Sequence, residues 1–469
     1  MRSPDKDWGC ECMPITPRVS AGPRALRFRN LRLLTQKEWR ELLASRAFWL
    51  MLVVIGPLIG HAFINAVDLY AEASGIGGGP SALPQGLTPL DGMLVPTLGA
   101  YELAVMLLLP FVAIRLVAGE RESGAWKMTA QGPASESVMI LAKIGALLIA
   151  WMAAWIPGLI ALLLWKFYGG HLALAETLNL IFGHWLRMLL ATGIAFAAAA
   201  LTGNASSAAI ATLAFTVGTW ALDYTAAGHG GIVAALAEFT PAAALRSFEQ
   251  GLWRANVTLV ILTLAATGFV ITGIAQQAWL WPAQRRARIA GVVVSALALA
   301  SAFAFVRWNH DWSENRRNSF SRADEAALKQ VRDPLRITIH LSAGDPRLTD
   351  YERGVLSKLK LTLPRVETTY AAQSRTGLFE GQQDRYGEIW YELGRSQRMS
   401  RSTTPAIVLE ELYALAGLAK PADSIEAPYP GYPLAAHPLA EHPQWAAVLF
   451  YALWPAAIVL LWWRSSKSL

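Results

Sequence analysis

Cysteine is nearly missing. The 469 residues hold only Cys10 and Cys12, so no disulfide framework can staple any part of the chain. That Cys-x-Cys pair has no histidine or third cysteine nearby, too few ligands for a zinc site, and residues 1–23 are read as a disordered tail with no metal. The tail also lacks the apolar core of a signal peptide. The phosphate-cradling pattern Gly-x-x-x-x-Gly-Lys-Ser/Thr occurs nowhere, which excludes that nucleotide-binding loop. The dense glycine run Gly75-Ile76-Gly77-Gly78-Gly79 has no lysine after it and reads as a flexible connector. Eight histidines and ten methionines form no cluster, and His437 with His442 in a Pro-rich stretch is too thin for copper. Charge is scarce as well. Only 16% of residues are charged against 54% hydrophobic, with 19 tryptophans, which is too apolar for a soluble protein of this length. The mean hydropathy of +0.33 agrees.

What is present is a series of apolar runs. A helix needs roughly 20 mostly apolar residues to cross a bilayer. Eight stretches meet that rule: Ala47 to Val67, Tyr101 to Val117, Val138 to Trp165, Leu180 to Leu201, Ser207 to Leu222, Val257 to Ala278, Ile289 to Val306 and Trp445 to Trp463. Arg24, Arg27, Arg29, Arg32, Lys37, Arg40 and Arg46 precede the first run, whereas Asp68 to Gly92 contains no Lys or Arg, so the amino end is expected in the cytoplasm. Arg121 and Lys127, then Arg285, Arg286 and Arg288, then Arg464 and Lys467 fall on the same side. The expected fold is an α-helical polytopic membrane protein with both termini cytoplasmic and an α/β extracytoplasmic domain between the last two spans.

The segment from Pro110 to Lys143 is a charged hinge between two apolar runs. It reads as a helix ending at Arg115, a polar piece Glu120-Arg121-Glu122-Ser123-Gly124, and a helix entry at Pro133 and Ser135. The hinge resembles the first intracellular loop of ABC-2 type permeases through Gly119, Glu120, Arg121, Gly124, Pro133, Ser135 and Lys143. Gln36 to Arg46 resembles the interfacial helix these permeases carry before their first span. Trp39 and Trp126 each lie in a short amphipathic stretch suited to the membrane face and to a partner. The resemblance implies an ATPase-coupling surface built from Lys37, Glu38, Trp39, Arg40, Glu120, Arg121, Glu122, Gly124 and Trp126. The alternative is an ordinary charged loop.

Arg307 to Pro443 is hydrophilic and large enough for one small domain. Leu335 to Leu341 alternates as a strand does, and Asp350 to Leu361 has helical spacing. Extended pieces at Val366 to Ala371 and Gly387 to Leu393, and a helix from Thr404 to Leu418, complete an α/β layout. Ala427 to Pro443 reads as a Pro-rich linker. Asp333 to His340, Tyr386-Gly387-Glu388-Ile389 and Ser402-Thr403-Thr404 resemble the extracytoplasmic domain of gliding-motility-type ABC auxiliary proteins. His340 and Glu388 are candidates for an acid/base pair, with a purely structural role as the alternative.

The domains expected are the tail 1–23, a permease domain 24–306, the extracytoplasmic domain and linker 307–443, and a final span with tail 444–469. The resemblance implies the permease subunit of an ABC exporter in a bacterial cytoplasmic membrane. It needs a separate ATPase chain that binds ATP and Mg, a second permease copy or paralogue, and membrane lipid; the chain itself carries no catalysis, no cofactor and no nucleic-acid partner. A mechanical transmitter acting on a periplasmic protein is the other reading. Glu102 and Arg187, inside spans at comparable depth, either pair with each other or each reach for the interface, as Lys166 and Asp223 are expected to do at span ends.

Overall fold

The computed structural model describes residues 23–76, 87–131, 135–226, 231–277, 279–342, 345–371, 385–421, 431–436 and 443–468. Cys10, Cys12, Pro133, His437 and His442 lie outside them. Among the described residues eight helices are long and apolar enough to cross a membrane, and with a small sheet they make the chain a multi-pass helical protein.

Helix α1 (Pro23–Ala44) meets α2 (Arg46–Ala73) at Ser45, whose extended backbone makes the bend. The next membrane-length helix, α3 (Leu90–Glu122), has 33 residues and begins well before Tyr101, the start expected from hydropathy. Asp91 and Pro96 hide this first part. Wide π turns at Leu90–Leu94 and Ala104–Leu108 let the helix pass them and Pro110 without ending. At the other end α3 continues past Arg115 to Glu122, because Glu120, Arg121 and Glu122 all find partners inside the protein. Gly124, at φ +75°, then turns the chain into the short α4 (Ala125–Ala130).

Helix α5 (Glu136–Phe167) is broken at Trp155 before Pro157. Tyr101 fills the break: its hydroxyl donates to the Ala154 carbonyl at 3.0 Å and accepts from the Gly158 amide at 3.0 Å. Its ring stacks on Trp155 with centroids 4.4 Å apart. Backbone groups inside a bilayer need such internal partners. Helices α6 (Leu174–Thr202) and α7 (Ala205–Ala226) follow, joined at Gly203. Two short helices, α8 (Gly231–Ala237) and α9 (Pro241–Glu249), and strand β1 (Leu252–Arg254) lead to α10 (Ala255–Gln276) and α11 (Pro282–Ala304). Helices α6 and α10 cross at Gly193 and Gly268, so closely that a Cβ on Gly268 would lie 2.3 Å from the Gly193 carbonyl oxygen.

After α11 the chain forms β2 (Asn309–Asp311), antiparallel to β1, then α12 (Arg322–Leu328) and a four-stranded sheet. Its strands are β3 (Leu335–Ile339), β4 (Val366–Tyr370), β5 (Ile389–Leu393) and β6 (Ser396–Ser400), in the order β4-β3-β5-β6. Strands β3 and β4 are parallel across the helical segment α13 (346–362), and β5 and β6 form an antiparallel hairpin. Leu335, Ile337 and Ile339 meet Tyr351, Val355 and Leu359 of α13 and Val408 and Leu412 of α14 (Pro405–Ala416) in a separate core. Strand β6 carries no strand signal in the sequence because Ser-Gln-Arg-Met-Ser has no apolar alternation; four of its five residues are exposed at the sheet edge.

This unit is tied to the helix ends. Arg317 pairs with Asp91 at 2.5 Å, and His171 pairs with Glu314 at 2.9 Å. Tyr432 stacks on His171, with centroids 3.5 Å apart, and donates to Glu314 at 2.9 Å. Residues 431–434 therefore form part of the docking contact, where a linker was expected; Leu434 is buried and its amide donates to Ser74 at 3.2 Å. The last helix, α15 (Trp445–Lys467), packs on α2 where Gly56 and Gly60 make room for Trp454 and Phe450. The Trp454 indole donates to the Leu52 carbonyl at 2.7 Å.

Candidate functional site

The hinge is built from ionisable residues that meet from three helices. Lys143 of α5, 2% exposed, lies 2.8 Å from Glu38 of α1 and 2.8 Å from Glu120 of α3, and donates to the Leu116 carbonyl at 2.9 Å. Lys37 adds bonds to Glu120 and to Glu38 at 3.1 Å and Glu41 at 2.9 Å. Helical spacing turns Glu38 inward and Lys37, Arg40 and Glu41 toward the rim. The carboxylates of Glu38, Glu41 and Glu120 come within 4.8 Å of one another, but the two ammonium groups among them already supply the counter-charge. Burial raises the Glu38 carboxyl above its ordinary range, and the Lys143 charge pulls it part of the way back. Burial alone would lower Lys37, yet Glu120 and Glu38 hold its ammonium well above the usual range.

The residues beside this cluster are also engaged. Arg121 donates to the Ala200 carbonyl near the end of α6 and to the Ala275 carbonyl near the end of α10, the latter at 2.7 Å. Its positive charge thus lies where two helix dipoles are negative. The Glu122 carboxylate accepts from the Ala205 amide at 2.9 Å, at the positive start of α7. Trp126 lies beneath the Arg121 guanidinium, 5.9 Å from ring centroid to carbon. Trp39 points inward to Phe48, with centroids 5.7 Å apart. Of the coupling residues expected from sequence, Lys37, Glu38 and Glu120 form one cluster, Arg121, Glu122 and Trp126 join helix ends, and Arg40 stays exposed. A groove of about 670 Å³ beside the cluster is lined by Glu41, Arg115, Glu122 and Ser123.

A second group lies along α3, α6, α7 and α9. Arg187 and Glu102 are paired at 2.7 Å, and Arg187 also donates to the Pro241 carbonyl at 3.0 Å. Asp223, expected to reach the interface alone, holds Arg246 through two bonds of 2.8 and 2.5 Å. Both pairs border a cavity of about 330 Å³. Glu249 also lines it, and makes no hydrogen bond or ion pair of its own among the described residues. Burial, and then the charge of Glu102, push its carboxyl up to about 7, against the opposing pull of Arg187 and Arg246.

Neither Arg246 nor Glu249 stands out in the sequence as a site residue. Their signal was the Thr240-Pro241 start of a short helix: Thr240 caps it by accepting from the Ala243 amide at 3.2 Å, which places both side chains one turn apart. In the sheet domain the His340 amide donates to the Glu388 carbonyl at 2.9 Å, and among the described residues no side-chain bond joins the two. The Glu388 carboxylate is taken by Arg401 at 3.0 Å and by the Trp390 indole at 3.1 Å, which leaves it no role as a free base. Comparison with protein-family models, with curated proteins and with solved structures returns no match.

Proposed function

We propose that this chain is the permease subunit of an ABC exporter, driven by a separate ATPase chain that binds ATP and Mg. The observation that carries the reading is the ion cluster joining α1, α3 and α5 through Glu38, Glu120 and Lys143. A force on one of these helices moves all three, since the bonded charges cannot separate without leaving a charge buried and unpaired. Arg121 and Glu122 carry the same movement to the ends of α6, α10 and the start of α7. The rim left open by these contacts, with the exposed Arg40 on α1 and Arg115 on the wall of the 670 Å³ groove, is the face offered to the ATPase. In this reading the Lys and Arg excess puts α1, the hinge and both termini in the cytoplasm of a bacterial inner membrane, and the sheet domain outside. The apolar windows of α7 and α11 are 11% and 6% buried, which leaves those faces to lipid and to a second permease copy.

A second reading is favoured by the docking of the sheet domain. Arg317–Asp91, His171–Glu314 and the β1–β2 pairing bind it to the helix ends, so helix motion reaches it directly. On that reading the chain passes ATP-driven motion to a periplasmic protein and carries no substrate.

The test is isolation of the intact chain from its native membranes in mild detergent, with ATP hydrolysis followed across gel filtration. Hydrolysis should co-elute with the chain and be lost on Arg40→Glu with Arg115→Glu. A chain that elutes without a nucleotide-hydrolysing subunit would remove the ABC reading. In liposomes, stimulation of hydrolysis by a transported compound separates export from transmission.

A further inference from the structure

The cavity beside α9 has a definite charge pattern. Glu102 is neutralised by Arg187 and Asp223 by Arg246, each within a bonded pair. Among the described residues Glu249 is the remaining ionisable group on the wall, so across those residues the ionised site carries one uncompensated negative charge. Val105, Met106, Leu190 and Ile194 give the rest of the space an apolar lining, and Phe215 and Trp220 add aromatic faces. About 330 Å³ is enough for a small organic molecule. A monovalent cation would neutralise the site and find aromatic faces for its charge, whereas an anion would leave both its own charge and that of Glu249 uncompensated in a low-dielectric wall.

We propose that this cavity binds a hydrophobic organic cation, with the Glu249 carboxylate as its counter-ion and the apolar wall between α3, α6 and α7 holding its body. The two arginines do not compete with the ligand, since each is held by its own carboxylate. The site goes beyond the coupling reading and needs no ATPase to be observed. Proton and ligand compete for one carboxylate. The charges acting on Glu249 are those of Glu102 on α3, Arg187 on α6, Arg246 on its own helix and Asp91 at the start of α3, with Asp223 of α7 reaching the cavity through Arg246. The Glu249 carboxyl, pushed up to about 7, takes up its proton as pH falls through neutrality, and cation binding weakens.

The test uses two ions of the same shape and opposite charge, tetraphenylphosphonium and tetraphenylborate, in equilibrium dialysis against the full chain in detergent. The phosphonium should bind at about pH 8 and lose about five-fold in affinity at about pH 6, and the borate should not bind. Glu249→Gln should weaken the phosphonium about ten-fold and abolish the pH dependence, while Glu249→Asp, which keeps the charge, should retain both. If Glu249→Gln does not give a monodisperse chain, the charge preference and pH profile of the unaltered chain decide. Equal binding of the two ions, a flat pH profile, or full affinity in Glu249→Gln would overturn the proposal. Loss of the site with ATP hydrolysis still co-eluting would leave the coupling reading intact.

Discussion

Lys143→Met tests the ion cluster most directly, because it removes one charge and keeps much of the side-chain volume. In the native chain the charges are Lys37 and Lys143 against Glu38, Glu41 and Glu120, a net of −1. Without Lys143 the net becomes −2. Glu38 and Glu120, with side chains only 4% and 8% exposed, then share the single ammonium of Lys37, which is itself 37% exposed. The Leu116 carbonyl also loses its 2.9 Å donor. Breaking one partner of a buried ion pair costs about 3–5 kcal/mol, because the charge left behind has been taken out of water without compensation. A control at the exposed Glu122, Glu122→Gln, should cost less than about 1 kcal/mol. The assay is reversible unfolding of the purified chain in mixed micelles, followed by helical circular dichroism. The triple change Glu38→Gln, Glu120→Gln, Lys143→Met should recover a large part of the loss, since it removes the stranded charges along with their partner. If Lys143→Met is no worse than Glu122→Gln, or the triple change is the sum of its parts, the cluster is not the joint described here.

Three further outcomes are expected. Gly268→Ala should destabilise the chain by about 1–3 kcal/mol in the same assay, because its Cβ would meet Gly193 backbone that no rotamer change can move; a loss no greater than that of Gly291→Ala, where a Cβ meets nothing within 4 Å, would refute the close crossing. A double-mutant cycle with Glu102→Gln and Arg187→Gln should show coupling on the order of 1–2 kcal/mol, and additive losses would mean that the 2.7 Å pair contributes nothing. With Cys10→Ser and Cys12→Ser as background, Gln397→Cys should react with a membrane-impermeant maleimide from outside spheroplasts and Lys127→Cys should not; the reverse labelling would invert the orientation.

Local chemistry carried much of the fold into the sequence. The apolar runs from Ala47 onward mark the membrane helices because a bilayer imposes length and polarity on each helix separately, whatever its neighbours. Leu335 to Leu341 marks a strand for a similar reason, since alternation is imposed by one buried face. The local signal is overridden in two places: the apolar run begins only at Tyr101, but π turns carry α3 through Asp91 and Pro96, and Arg115 reads as a helix end although Glu120 and Arg121 have partners farther on. The site lay further from view. Lys143 is 105 residues from Glu38, and Asp223 is 23 from Arg246; no spacing rule joins residues so far apart. The sequence determined that Glu38, Glu120, Lys143, Arg187 and Glu249 are charged and stand in or beside apolar helices. Only the packing of those helices decided that Lys143 is shared by two carboxylates, and that Glu249, among the described residues, is left without a partner on the wall of a cavity. Attraction between charges depends on distance through space and on exclusion of water, and both are properties of the assembled bundle.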